Sequence, residues 1–334
     1  MPSDSSSQPP RSVAAWLLAC CALVFAIVVV GGITRLTHSG LSIVEWQPLV
    51  GAIPPLDAAQ WEETFAKYRA TPEFRLRNHD MTLEGFKSIF WWEYFHRLLG
   101  RIVGAVFLVP FAYFLWRRAI PPPLAWKLAG IFALGGLQGA LGWYMVKSGL
   151  VDDPRVSSVR LAAHLGLAFL IYAGILWLAL GVSRRSEPRA QAHAPGALVL
   201  VALVFVMVIS GALVAGIRAG LAYNTFPLMN GHWIPPETFV IDPWWKNFVY
   251  NMATVQLVHR TFFWLLAVLV PLAWWRGRHT LAANALLAAF VLQASLGIAT
   301  LLLGVPVGFG SAHQGGAVVL LAAALWHAHG GKRS

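Results

Sequence analysis

Four histidines stand where metal chemistry can be built: His96, His164, His259 and His313, in the settings EYFHR, RLAAHLG, VQLVHR and AHQGG. Imidazole is the commonest metal ligand among side chains. Each of the four lies within an apolar stretch, where an ionisable residue is expensive and by default functional. A single histidine in such a stretch is ordinarily a packed, hydrogen-bonded residue, but four at matching places point to two pairs of ligands. Zinc closes tetrahedrally, usually with mixed ligands, whereas a flat haem takes one axial ligand from each side. Two bis-imidazole haems therefore account for the set better. The other histidines, His38, His79, His193, His232, His279, His327 and His329, fall in loops or at helix ends and stay off the ligand list.

Glu93 stands three residues before His96, and Gln256 stands three before His259. That spacing puts each on the same helix face as its histidine. A buried carboxylate can take a proton or stabilise positive charge, while an amide can only hydrogen-bond. The difference marks the N-terminal half as the reactive one; the competing reading of Glu93 is an interfacial ion pair with Arg97 at i+4. Arg97, Arg101, Arg160 and Arg260 are candidates to neutralise haem propionates, or to snorkel to lipid headgroups. Gly100, Gly104, Gly166, Gly315 and Gly316 would let a ring approach backbone, or serve helix packing.

These residues need membrane helices to hold them. Of 334 residues, 57% are hydrophobic and only 12% charged, about half the charged share of a soluble domain. Eight stretches are long and apolar enough to span: 13–33, 92–116, 125–146, 159–181, 196–217, 252–275, 281–303 and 309–328. Eleven of the 25 Lys and Arg but only two of the 14 acidic residues fall on the end that carries both termini, a net +9 against +2 on the other. The positive-inside rule makes that end cytoplasmic, so the basic balance reflects topology and implies no nucleic-acid partner. The segments at 34–90 and 218–250 are long enough to cap a site on the outer side. Cys20 and Cys21 are adjacent in the first span and support neither a disulfide framework nor a thiolate metal site.

The halves repeat. VVVGGITRLTHSGL matches VMVISGALVAGIRAGL, LQGALG at 137–142 matches LQASLG at 292–297, and Pro54-Pro55 matches Pro235-Pro236. Four spans per unit imply a parallel repeat about an axis along the membrane normal. The expected fold is an all-α integral membrane protein with eight transmembrane helices in two tandem pseudo-symmetric four-helix bundles. The expected division is a disordered cytoplasmic tail at 1–12, an N-terminal bundle at 13–181, a C-terminal bundle at 196–328 and a short cytoplasmic tail at 329–334. One histidine falls on each even-numbered span, near its outer end.

The motifs GGITRLTHSGLSIVEW, PEFRLRNHDMT, EYFHRLLGR, LQGALGWYMVKSGL, RLAAHLG, YNTFPLMNGHWIPP, VQLVHR and AHQGG cover nearly the whole chain. Together they resemble the haem A synthase family, in the branch shared by proteobacteria and mitochondria. The other branch carries a cysteine pair in its first outer loop, which is absent here. The resemblance implies that His259 and His313 hold a permanent haem B and that His96 and His164 line the site of haem O, the substrate. It also implies that Glu93 is the family's essential carboxylate. The implied reaction hydroxylates one ring methyl twice with water-derived oxygen to leave a formyl group, delivering haem A for terminal oxidases. Haem O synthase and oxidase assembly components are implied partners, with an electron acceptor that the sequence does not name. The tail MPSDSSSQPP lacks the character of an organelle transit peptide, which points to a bacterial inner membrane.

Readings from other classes stay open on the residues alone. A diheme b-type electron-transfer cytochrome would use the same ligands, although the familiar quinol cytochromes carry two histidines on each of two helices. A non-enzymatic haem carrier or assembly factor would leave haem unchanged. A transporter would leave the four matched histidines unexplained, and a prenyltransferase would need an Asp-rich DxxxD pair that is missing.

Overall fold

The computed structural model describes residues 9–47, 50–149, 156–184 and 196–330. The expected tail segments 1–8 and 331–334 lie outside these residues, as do 150–155 in the short loop between the third and fourth spans. Among the described residues twelve helices form: α1 Arg11–Leu36, α2 Ala58–Arg69, α3 Pro72–Arg77, α4 Leu83–Trp116, α5 Pro122–Gly149, α6 Ser158–Arg184, α7 Ala197–Gly216, α8 Ala219–Ala222, α9 Asn247–Tyr250, α10 Met252–Gly277, α11 Leu281–Leu302 and α12 Val307–Ala328. Eight of these, α1, α4, α5, α6, α7, α10, α11 and α12, are long and apolar enough to cross a membrane. In lipid only such self-satisfied helices can carry the backbone across. The protein is therefore a multi-pass, all-helical membrane protein.

One boundary departs from the sequence reading. The second span was expected from residue 92, but α4 begins at Leu83, where the Thr82 hydroxyl caps it by accepting from the Gly85 N–H at 3.3 Å. The added turns carry Phe86 and Phe90 into an aromatic cluster with Phe65 and Tyr68 of α2, joined at its edge by Trp61. This packing sustains the helix beyond the apolar stretch that hydropathy detects. Consequently Glu93 and His96 sit in its third and fourth turns rather than opening it. The first outer segment is partly helical as expected, through α2 and α3.

Neighbour relations repeat between the halves. α1 packs on α4 and α6, as α7 packs on α10 and α12; α5 packs on α4 and α6, as α11 packs on α10 and α12. Across the halves α1 meets α12, α7 meets α6, and α6 meets α12. The arrangement is compatible with the tandem repeat. α1, α6, α7 and α12 form the shared centre, and α4, α5, α10 and α11 lie at the periphery. Two glycines make the central crossings close: a Cβ on Gly166 would run into Ile209 Cδ1, and one on Gly315 would lie 2.9 Å from Val29 Cγ2. Gly316 likewise faces Gln293 of α11. These three serve helix packing, the use small residues commonly have where apolar surface alone drives no association. At the ends of α1 and α7 the chains touch again: Arg35 donates to the Ala215 carbonyl, and Arg218 Nη2 lies 3.3 Å from His38 Nδ1. Cys20 and Cys21 are buried in the packed core as free thiols.

The tightest backbone approach is at Gly216, where a Cβ would lie 2.7 Å from Ser158 Cα and 2.6 Å from its Cβ. Gly216→Ala must push α6 from α7, at about 1–3 kcal/mol. It should lower the melting temperature in detergent. Gly130→Ala, whose Cβ would meet nothing within 4 Å, should match the parent or melt slightly higher, since alanine is the better helix former.

Candidate active site

All four histidines rest on glycine. A Cβ on Gly31 of α1 would lie 2.8 Å from Cε1 of His96, and one on Gly211 of α7 would lie 3.1 Å from Cε1 of His259. In the same way Gly142 of α5 backs His164 at 3.0 Å, and Gly297 of α11 backs His313 at 2.7 Å. Each imidazole is thus set by close contact with the backbone of a neighbouring helix, in the same relation in both halves. His96 lies within electrostatic reach of His164, and His259 within reach of His313, so the pairs run within each half. These glycines were not singled out from sequence; the matched LQGALG and LQASLG motifs that contain Gly142 and Gly297 held the signal.

Nitrogen chemistry supports a ligand role. Ser210 Oγ lies 2.8 Å from His259 Nδ1, while Nδ1 of His96, His164 and His313 is enclosed by protein without a hydrogen bond. Gln138 of α5 donates to the His164 carbonyl at 3.0 Å and lies 3.4 Å from its Nε2. Buried polar atoms are ordinarily paired, and in these three rings it is the Nδ1 atom alone that lacks a partner within hydrogen-bond distance. Among the described residues no three His, Cys, Asp or Glu gather in one group. The donor sets therefore suit a group needing two axial protein ligands, which is haem, rather than a closed zinc cage.

The residues preceding the histidines clamp the loops above them. Glu93 is 2% exposed. Its Oε2 accepts from Ser42 Oγ and from the Ile43 N–H, each at 2.8 Å, and its Oε1 accepts from Arg97 Nη2 at 2.6 Å and Nε at 3.1 Å. The ion pair expected at i+4 is therefore present, inside a four-donor site. Arg97 also donates to the carbonyls of Ile43 and Glu45, and Arg101 to that of Gln47 at 2.8 Å. In the other half Gln256 donates to the Tyr223 carbonyl at 2.8 Å, and Arg260 donates to four carbonyls between Tyr223 and Leu228. Arg160 of α6 donates to the Tyr144 carbonyl and lies 3.8 Å over its ring. All four arginines thus organise the same end of the molecule as the histidines.

The halves differ again between their peripheral helices. Four residues after His259, Phe263 stacks on Phe290 of α11 with centroids 6.2 Å apart and planes at 17°. The equivalent positions, four after His96 and three before Gln138, are Gly100 and Gly135. A Cβ on Gly100 would meet only Ile27 at 3.6 Å, and Cβ atoms on Gly104, Gly135 and Gly139 would meet nothing within 4 Å. Between the same two helices, α4 and α5, Phe107 and Phe132 stack with centroids 6.0 Å apart. Between α10 and α11 two rings meet where α4 and α5 carry glycines with open space at their Cβ positions, and a separate cavity lined by Trp274, Leu287, Val291 and Ser295 lies along α10 and α11.

Known proteins resemble this chain along nearly its whole length. A family model described as cytochrome oxidase assembly protein matches residues 14–325. The haem A synthase of Nitrosospira multiformis is 56% identical over 98% of this chain and 95% of its own length. That of Nitrosomonas eutropha is 54% identical over 97% and 95%, and that of Parvibaculum lavamentivorans 48% identical over 96% and 94%. The chain belongs to the haem A synthase family. Membership brings haem to a fold whose four histidines already favour it.

Gly142→Ala and Gly297→Ala should each displace one ring from its seat, at a cost of about 1–3 kcal/mol. The haem-to-protein ratio of purified variants should fall, with Gly130→Ala unchanged.

Proposed function

We propose that the chain converts haem O to haem A, with the N-terminal half as the substrate site (13–181) and the C-terminal half (196–328) as the site of a resident haem B. His96 and His164 would be the axial ligands of the substrate, His259 and His313 those of the cofactor. The observation that carries the assignment is the double asymmetry of otherwise matched halves. A carboxylate stands beside one histidine pair and an amide beside the other, and an open slot lies beside the first where stacked phenylalanines lie beside the second. Haem O carries a long isoprenoid chain that haem B lacks. The Gly100–Gly104 and Gly135–Gly139 slot gives that chain room, and the Phe263–Phe290 stack denies it in the other half.

The reaction takes one substituent of haem O from methyl to hydroxymethyl to geminal diol, each round adding a water oxygen and releasing two electrons and two protons. Loss of water from the diol leaves the formyl group, so one water is consumed net and four electrons and four protons depart. Haem B, when bound, supplies one-electron transfer toward an external acceptor. Around the substrate, Glu93 supplies a fixed negative charge where positive charge develops as electrons leave. Its four donors hold it in place, at no reorganisation cost during the reaction. Arg97, Arg101, Arg160 and Arg260 supply positive charge at the same end, where the propionates of the two haems would lie. The charge asymmetry of the loops supports cytoplasmic termini and histidine pairs toward the periplasmic side of a bacterial inner membrane.

In membranes that also make haem O, Glu93→Gln should bind both haems yet lose at least about 100-fold in conversion, the scale of a missing electrostatic stabiliser. Chromatography of extracted haems gives the readout, and full conversion by that variant would remove Glu93 from the reaction. Gly135→Phe, which places a ring where Phe290 stands in the other half, should exclude haem O while leaving haem B bound.

A further inference from the structure

The segment PEFRLRNHDMT contains a buried acid that the mechanism above leaves unused. Glu73 of α3 is 3% exposed, and its Oε2 is enclosed by protein without a hydrogen bond. Its carboxyl lies within reach of the hydroxyl of Tyr68, itself fully buried in α2, which favours the ionised form. Asn78, half-buried at the rim, donates to the same hydroxyl at 2.7 Å. The charged and titratable groups facing Glu73 are Tyr68 from α2, Arg77 from the exposed end of α3, and Glu93 from α4. Tyr68 feels Glu93 as well. Tyr68 packs on Phe74 and on Phe86 of α4, in one cluster with Phe90 and with Tyr94, the residue after Glu93, so the acid lies beside the stretch of α4 that carries Glu93, with half-buried Asn78 on its other side.

We propose that Glu73, working with Tyr68 and Asn78, takes up the protons released beside Glu93 and passes them to water at the rim. This inference rests on the functional reading above. Glu93 cannot serve that purpose itself without losing its clamp, because four donors from Ser42, Ile43 and Arg97 already occupy its oxygens. Glu73 has a free oxygen. In each cycle an O–H bond forms at Glu73 Oε2 as a proton arrives, and it breaks as the proton leaves to water; no electrons move through the cluster. Glu73 acts through Glu93 and the solvent around it, and is a positioning residue for protons rather than a group in contact with substrate.

The electrostatics match the task. Burial, and then the charge of Glu93, raise the Glu73 carboxyl from the usual 4.5 to about 7, against the pull of Arg77 and the Tyr68 hydroxyl. Such a group both takes and gives a proton near neutrality, which an ordinary carboxylate does not. It also makes the native state favour the protonated acid, so its contribution to stability declines as pH rises from 4.5 toward 7. An acid kept at this site for packing alone would be better served by an amide.

Purified full-length protein can be titrated by infrared difference spectroscopy, and its conversion of haem O followed from pH 6 to 8. A protonated-carboxyl band should fade around pH 7 and be absent in Glu73→Gln. Tyr68→Phe, which removes the hydroxyl favouring the ionised form, should move the transition to higher pH, and Glu93→Gln should move it lower. Conversion by the parent should rise with pH through the same transition, while Glu73→Gln is slower, has a flat profile, and melts no lower than the parent at pH 8. The proposal is overturned if no carboxyl titrates near 7, if Glu73→Gln keeps the parent's profile, or if it slows conversion equally at every pH. A parent that binds haem O and converts none at any pH would overturn the functional reading, and this inference with it; an active parent with an unaltered variant profile overturns this inference alone.

Discussion

Contact between an imidazole ring and a bare glycine backbone, made four times, sets the architecture around it. His96, His164, His259 and His313 can approach Gly31, Gly142, Gly211 and Gly297 only if their helices cross at close range. Close crossing in turn requires small residues such as Gly166, Gly216 and Gly315 along the shared centre of α1, α6, α7 and α12. In a bilayer this demand cannot be met by burying apolar surface, because lipid is as apolar as leucine; packing at small residues carries it. The polar work is concentrated at one end, where Glu93, Gln256 and the arginines tie the loops down over the histidines.

Against that shared frame, the two halves diverge where chemistry needs them to. Duplication supplies two equivalent histidine pairs, and a single exchange of carboxylate for amide gives one of them a fixed charge. A second exchange, glycines for a phenylalanine pair, changes what the neighbouring crevice can admit. Both differences lie within about one turn of a histidine or of the glutamine facing it, so under the proposed assignment few substitutions separate a substrate site from a cofactor site.

Much of this was legible in the chain. Eight apolar stretches gave the spans, the repeat gave the equivalence of the histidines, and the i, i+3 spacing put Glu93 and Gln256 beside them. The start of α4 was not legible, because hydropathy responds to lipid-facing apolar residues and not to the packing of Phe86 and Phe90 on α2. Nor were the glycine seats, since a glycine under a ring and a glycine in a plain helix crossing look alike in one sequence: of five glycines considered for haem approach, Gly166, Gly315 and Gly316 prove to be crossings, while Gly100 and Gly104 are open. Glu73 was hidden for a related reason. It lies in a polar segment, and only α2 and α4 closing over it make it buried.

The central claim is that matched histidine pairs hold different haems. The direct measurement is to purify the parent, the His96→Ala/His164→Ala variant and the His259→Ala/His313→Ala variant from cells making haem O, then extract and resolve their haems. The account predicts haem B with haem O or haem A in the parent, haem B alone in the first variant, and haem O without haem B in the second. Haem B as the sole haem of every form, with no haem A produced by the parent, would contradict it.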